Sequence, residues 1–188
     1  MLVNKLLIAI LHEDYHKIKL LHKKDETLIF SKHKIIENHG VHFFDTVLNF
    51  ASRRSSKETV RFLIDEFKLD VRETGHKERN CFFAAIEGGK IDLLKYLHSV
   101  NETLVNATDD DGSTALIFAS AVGSKESVQW LIEKTKVNHH GTDFNGMNCV
   151  FAAIRCGFFW LFLGYFEYIL SKLSDFDQNR PNHLKSAI

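Results

Sequence analysis

The sequence has little that would support a disulfide framework, a charged ligand or a secretion signal. Its three cysteines, Cys81, Cys149 and Cys156, form an odd set without C-x-x-C spacing, which argues against disulfides and favours a reducing compartment. The chain carries 24 basic and 24 acidic side chains, so no global charge points to nucleic acid. The apolar N-terminal run is short and no A-x-A site follows it, so we expect a cytoplasmic or nuclear protein.

The chain also lacks a glycine-rich phosphate loop and a run of the ~20 apolar residues that a membrane span needs. Its most apolar stretch, residues 158–170, is interrupted by Gly164 and Glu167 and is closely flanked by Arg155 and Lys172. We therefore predict no membrane span.

One catalytic motif is present near the N-terminus. His12, Glu13 and His16 fit H-E-x-x-H, in which two imidazoles one helical turn apart bind zinc and the glutamate acts as general base. A zinc metallopeptidase is therefore an alternative to be weighed against the rest of the chain.

The feature that organises the chain is an internal repeat. Four segments align without gaps from residues 46, 80, 114 and 148, a constant period of 34. Small residues recur in one column, at Ala51, Ala85, Ala119 and Ala153. Turn residues recur in another, at Ser55, Gly89, Gly123 and Gly157.

Each unit predicts two short helices. A leading Thr or Asn can cap the first helix, and the second has apolar residues at helical spacing. Because one helix pair cannot bury its own apolar face, neighbouring units must stack. The sequence thus predicts a mainly α solenoid of about five stacked helix pairs, joined by short β-hairpins or loops.

The repeat resembles the ankyrin repeat family. The best copy starts at Asn106, and the positions that match the family pattern are Asp109, Gly112, Thr114, Leu116, Ala119, Gly123, Val128, Leu131 and Ile132. The family's proline is replaced throughout, by Val47, Cys81, Ala115 and Cys149. Its T-P-L-H histidine is replaced by Asn49, Phe83, Ile117 and Phe151. The resemblance is therefore to a divergent member.

This resemblance predicts one domain over residues 1–188. The segment from Asn4 aligns with that from Asn80, but its unit is eight residues longer than a regular one. We expect an irregular first repeat with a long loop at 1–40, repeats at 41–74, 75–108 and 109–142, a last repeat at 143–173 and a C-terminal tail at 174–188.

The same alignment argues against the zinc motif. Glu13 falls on the turn position of Gly89, so His12 ends one helix and His16 lies in the next. Two ligands on separate helices do not share the face that the motif requires. We interpret the motif as accidental.

The resemblance implies protein binding, with no catalytic site, metal or cofactor. In this family the contact positions usually lie at the hairpin tips and at the end of each first helix. They fall here on His42, Phe43, Asp45, Arg53, Arg54, His76, Lys77, Arg79, Glu87, Asp110, Asp111, Ser113, Phe144, Met147 and Arg155. The four basic residues from Arg53 to Arg79 predict a partner with an acidic patch.

The last predicted helix suggests a different function class. Its apolar residues leave no polar outer face, although the terminal unit of a solenoid needs one. The tail, a second copy of the protein or a partner must cover part of it, and we favour a protein contact. The set that would form this second interface, in a homodimer or on a membrane surface, is Phe159, Trp160, Phe162, Phe166 and Tyr168.

Overall fold

A computed structural model describes residues 2–36, 42–135, 137–138 and 141–158, with the backbone alone for Ile36, His42 and Phe43. Its main elements are short helices arranged in pairs. The helices are α1 (Leu2–Leu11), α2 (Tyr15–Lys24), α3 (Thr27–Phe30), α4 (Val47–Arg54), α5 (Lys57–Phe67), α6 (Cys81–Glu87), α7 (Ile91–Val100), α8 (Ala115–Val122), α9 (Lys125–Lys134) and α10 (Cys149–Arg155). Two 3-10 turns, His76–Glu78 and Glu102–Asn106, lie between pairs.

The predicted caps begin the first helix of each repeated pair. The side-chain oxygens of Thr46, Asn80, Thr114 and Asn148 each accept a backbone N–H from the first turn of α4, α6, α8 and α10. These bonds satisfy donors that a helix start leaves without partners.

The turn between the two helices of a pair is also repeated. Gly89, Gly123 and Gly157 have positive φ angles of 65°, 73° and 83°. After each of them, the next backbone N–H donates to the carbonyl of the alanine column, as Lys90 does to Ala85 at 3.0 Å. This bond closes the helix end, and glycine adopts the left-handed conformation at little cost.

The alanine column sets the packing of the first helices. Ala51, Ala85 and Ala119 are 0 % exposed and Ala153 is 2 % exposed. Small side chains let α4, α6, α8 and α10 approach one another more closely than α5, α7 and α9 do. Large residues such as Phe82, Leu94 and Leu131 fill the space between the two helix layers.

The described residues contain four complete helix pairs and the first helix of a fifth, so the predicted ankyrin-type helical solenoid is confirmed. The predicted long loop of the first unit is instead partly ordered structure. It contains α3 and the strand β1 (His33–Ile36), which pairs antiparallel with β2 (His42–Asp45) of the next predicted unit, with Lys34 opposite Phe44. No helix among these described residues is long and apolar enough to cross a membrane.

Candidate partner-binding surface

Three hairpins at residues 75–79, 109–113 and 143–147 lie side by side and are named here the hairpin row. Backbone bonds join neighbours: Asp110 N donates to Lys77 O at 3.1 Å, and Phe144 N donates to Asp111 O at 3.0 Å. Each hairpin is also closed by a bond between its first and last residues, at 2.8 to 3.1 Å. The row is thus one continuous hydrogen-bonded edge.

Aspartate side chains hold two of the three hairpins from inside. Asp109 Oδ1 accepts the backbone N–H groups of Asp111 and Ser113 at 3.1 and 2.9 Å. Asp143 Oδ1 accepts those of Asn145 and Met147 at 2.9 and 2.8 Å. Such bonds fix a tight turn.

Gly75 occupies the equivalent position in the first hairpin of the row. A Cβ atom there would lie 1.8 Å from Asp45 Oδ1. The fully buried Asp45 thus fills the space with a carboxylate from the previous unit, and it accepts Thr46 N at 2.9 Å and Asn49 Nδ2 at 2.7 Å. Asp45 was predicted to contact a partner, but the structure buries it because it supports the next hairpin.

Arg53 lies at the end of α4 between two carboxylates. Its guanidinium contacts Glu87 Oε2 at 2.8 Å and Asp45 Oδ2 at 3.2 Å, and its side chain is 12 % exposed. Burial alone would lower the pKa of Arg53, but the charges of Glu87 and Asp45 outweigh burial and the pKa is raised. Arg53 therefore links β2, α4 and α6.

Arg79 and Lys77 also contact the next hairpin. Arg79 places two guanidinium nitrogens 2.8 and 3.0 Å from Asp109 Oδ2, and its guanidinium lies 4.2 Å from the centre of the Phe118 ring. Lys77 Nζ is 3.6 Å from Asp111 Oδ2. Since Arg79 is only 23 % exposed, it serves mainly to join two repeats.

The four basic residues from Arg53 to Arg79 were predicted to face an acidic partner, but in the structure Arg53, Lys77 and Arg79 lie beside acidic side chains of the protein itself. Arg53 and Arg79 are largely covered, and both have carboxylate partners within the protein. The physical reason is the repeat itself, which brings acidic residues of the next unit beside basic residues of the previous one. The hairpin row carries two basic and five acidic side chains, a net charge of −3.

The remaining predicted contact residues vary in exposure. Ser113 is 9 % exposed and Met147 is partly buried. His42 and Phe43 lie in β2, and their side chains are outside the description. The exposed members are Arg54, His76, Lys77, Glu87, Asp110, Asp111, Phe144 and Arg155. The predicted second interface, from Phe159 to Tyr168, lies outside the described residues.

Sequence reasoning missed two exposed aromatic side chains. Phe44 is 63 % exposed and Phe151 is 61 % exposed. In the repeat alignment Phe44 falls on the tip position of Gly112, which hides its strand character, although alternation beside buried Asp45 would have pointed it outward. Phe151 occupies the column of Phe83 and Ile117, which following units cover.

The zinc motif spans a chain reversal. His12 follows the end of α1, Glu13 has a φ of 55° and His16 lies in the first turn of α2. The predicted turn at Glu13 is therefore present, and the two imidazoles belong to different helices. Glu13 accepts Ser56 N at 3.1 Å, so its carboxylate lies at the start of α5. The hydrogen bond from the Ser56 hydroxyl is the main reason that the pKa of Glu13 is lowered.

The other reactive side chains have structural explanations. Cys81 is 0 % exposed, its thiol contacts Val71 O at 3.3 Å, and burial raises its pKa to about 12, so it is a poor nucleophile. Asp109, Asp110 and Asp111 bring three carboxylates within 4.8 Å of one another. Asp109 already holds Arg79 and the turn of its own hairpin.

Comparison with family models matches ankyrin repeats (3 copies) over residues 81–182. Comparison with curated proteins gives no match. The matched region contains α6 to α10, the whole hairpin 109–113 and the whole hairpin 143–147. Ankyrin repeats are generally protein–protein interaction modules and are typically not enzymes. This chain belongs to the ankyrin repeat family.

Proposed function

We propose that the protein is a non-enzymatic binding module that holds another protein against its hairpin row and first helices, acting as an inhibitor or an adaptor. The observation that carries this proposal is the exposure of two aromatic rings on this side, with Phe44 at 63 % and Phe144 at 82 %. Exposed aromatic side chains are enriched in the cores of protein interfaces.

The fixed backbone supports the same proposal. Bonds between hairpins hold Phe144 before any partner arrives, because its own N–H donates to Asp111 O at 3.0 Å. A surface that is ordered in advance loses less conformational freedom on binding, which favours affinity. Ion pairs of Arg53 and Arg79 between units add to this order.

The proposal is tested by capture of partners from cell extract with the wild type and with Phe44→Ala/Phe144→Ala. A matched control, Leu20→Ala/Val100→Ala, removes two side chains that are 47 % and 44 % exposed on second helices. We expect the tip variant to lose a partner that the control retains. Equal recovery with both variants would place the binding surface elsewhere.

A partner with an acidic patch is the weaker version of this proposal. It is supported by exposed Arg54 and Lys77, but Arg53 and Arg79 would have to leave their carboxylates to take part. Its test is Arg54→Glu/Lys77→Glu, which should slow association with such a partner, most strongly at low salt.

Self-association or contact with a membrane surface through the apolar residues 158–170 is a separate proposal, supported by the sequence alone. Sedimentation of the wild type and of Trp160→Glu tests it, since a dimer through this segment should dissociate in the variant. We propose a cytoplasmic or nuclear location because an odd set of three cysteines without C-x-x-C spacing fits a reducing compartment.

A further inference from the structure

Phe144 is the most exposed large apolar side chain of the described residues, at 82 %. Its ring lies over Gly112 of the preceding hairpin, where an added Cβ atom would be 2.8 Å from two ring carbons. Its backbone N–H is bonded to Asp111 O at 3.0 Å. The ring is therefore fixed beside the tip of the hairpin 109–113, with most of its surface in water.

That tip carries two carboxylates that face solvent. Asp110 is exposed, and the Asp111 side chain is 52 % exposed. The ion pair of Asp111 with Lys77, at 3.6 Å between two exposed groups, holds the carboxylate only weakly. With a net charge of −3 on the hairpin row, the surface around Phe144 favours a cationic ligand.

One cationic side chain of the protein itself, that of Arg79, already contacts the same two kinds of group, a carboxylate and a phenyl ring. Arg79 places its guanidinium 2.8 Å from an Asp109 carboxylate oxygen and 4.2 Å from the centre of the Phe118 ring. A carboxylate supplies the charge and a phenyl face supplies a cation–π contact. Asp111 and Phe144 are joined by a backbone bond and expose both kinds of group one step along the row.

We infer that Asp110, Asp111 and Phe144 form a tip surface that binds a partner segment with an arginine or lysine next to an apolar residue. The cation pairs with the carboxylates and covers part of the Phe144 ring, and the apolar neighbour packs on the rest. This inference rests on the proposed function and specifies the charge of the partner, which is opposite to that of an acidic patch.

The test is selection from a random peptide library of about 12 residues on the full-length protein at about 50 mM salt, where exposed charges act over roughly 14 Å. Selection is run on three proteins: the wild type, Asp110→Asn/Asp111→Asn and the control Glu126→Gln/Glu133→Gln. The selected peptides are then also measured on Phe144→Ala and Phe44→Ala. The control also removes two negative charges, but from exposed positions on α9. Circular dichroism checks that each variant keeps its helix content.

We expect the wild type and the control to select peptides with a basic residue beside an apolar one. The affinity of a selected peptide should fall about fivefold to tenfold in Asp110→Asn/Asp111→Asn and also in Phe144→Ala, and it should fall as salt is added. Loss on removal of charge together with loss on removal of the ring is the pattern that one shared site produces.

Two other results separate this inference from the proposed function. In the first result, the selected peptides depend on Phe144 but show no enrichment in basic residues, or they bind Asp110→Asn/Asp111→Asn as tightly as the wild type. Either observation overturns the inference of a positively charged partner segment and leaves the proposed binding function standing. Peptides that bind equally to all tip variants, including Phe44→Ala, contradict both proposals. A failure to select any peptide counts against both as well.

Discussion

At the scale of single residues, Gly75 shows how a side chain from one repeat can occupy space in the next repeat. Gly75 stands where the next two hairpins have Asp109 and Asp143. The space beside Gly75 is filled by the carboxylate of Asp45, which is 0 % exposed and accepts a hydrogen bond from Asn49 Nδ2 at 2.7 Å. A glycine in the middle of a polar loop is thus part of the packing.

A larger residue at position 75 should therefore be costly. In Gly75→Ala the new Cβ would lie 1.8 Å from Asp45 Oδ1, so the Asp45 contacts must shift. We expect a loss of about 1–3 kcal/mol in the free energy of unfolding, measured in urea. Gly141→Ala is the control, because its nearest atom would be 3.4 Å away. Similar effects of both changes would contradict this steric argument.

The three cysteines should differ sharply in reactivity. Cys81 is fully buried with a pKa of about 12, and Cys149 is 4 % exposed, whereas Cys156 is exposed. Because the thiolate is the reacting form, iodoacetamide at pH 8 should modify Cys156 alone until the protein unfolds. Mass spectrometry of the native and urea-treated protein measures this, and early modification of Cys81 would show that its site opens in the native state.

At the scale of elements, helix starts and helix turns were predictable because they depend on neighbouring residues. The caps at Thr46 and Asn80, the turn at Gly89 and its equivalent at Glu13 all follow from the repeat alignment. The strand pair β1–β2 was not predicted, since β1 falls in the segment that departs from the period and has no second copy for comparison. Helix caps and turns could thus be predicted where several repeats show the same residue type at the same position.

Glu13 gives a prediction about pH, because its carboxylate lies at the start of α5. The pKa of this group is lowered from 4.5 in the folded protein, mainly by the hydrogen bond from the Ser56 hydroxyl and further by the bond from Ser56 N, so these bonds stabilise the fold fully above pH 4.5. That stabilisation is lost as the pH falls through the folded-state pKa. Glu13→Gln should be less stable than the wild type at pH 7, by less than about 1 kcal/mol since water screens this exposed group.

Urea unfolding of the two proteins at pH 7 and at pH 3 measures this difference. We expect the gap in unfolding free energy to be smaller at pH 3 than at pH 7, because the stabilisation fades as the pH falls below 4.5 toward the folded-state pKa of Glu13. A gap of the same size at both values would show that charge is not the reason for it.

At the scale of the whole molecule, the ion pairs between units are what the sequence did not reveal. Arg53 meets Glu87, which is 34 residues later, and Arg79 meets Asp109, which is 30 residues later. Both arginines look like surface charges in a linear sequence. Their pairing depends on the distance between stacked units, which periodicity alone does not provide. The alignment identified the residues at the hairpin tips, but it did not show which of their charges pair within the protein.

Substitutions of Arg53 should therefore lower the stability of the fold, apart from any effect on partner binding. Arg53→Glu would place a third carboxylate beside Glu87 and buried Asp45, and we expect a loss of about 3–5 kcal/mol in unfolding free energy. Arg53→Met keeps the aliphatic length without adding a negative charge, so its loss should be smaller. Thermal and urea unfolding compare them. Full stability of Arg53→Glu would mean that the carboxylates separate easily.

The bonds between neighbouring hairpins have a consequence for how this surface can diversify. They run between peptide groups, as from Asp110 N to Lys77 O and from Phe144 N to Asp111 O, and therefore do not depend on which side chains stand at these positions. Mutations at the tips can alter chemical identity while the frame that spaces them is inherited unchanged. Related proteins can thus change their binding partner through substitutions at a few exposed positions, while the backbone of the hairpin row stays the same.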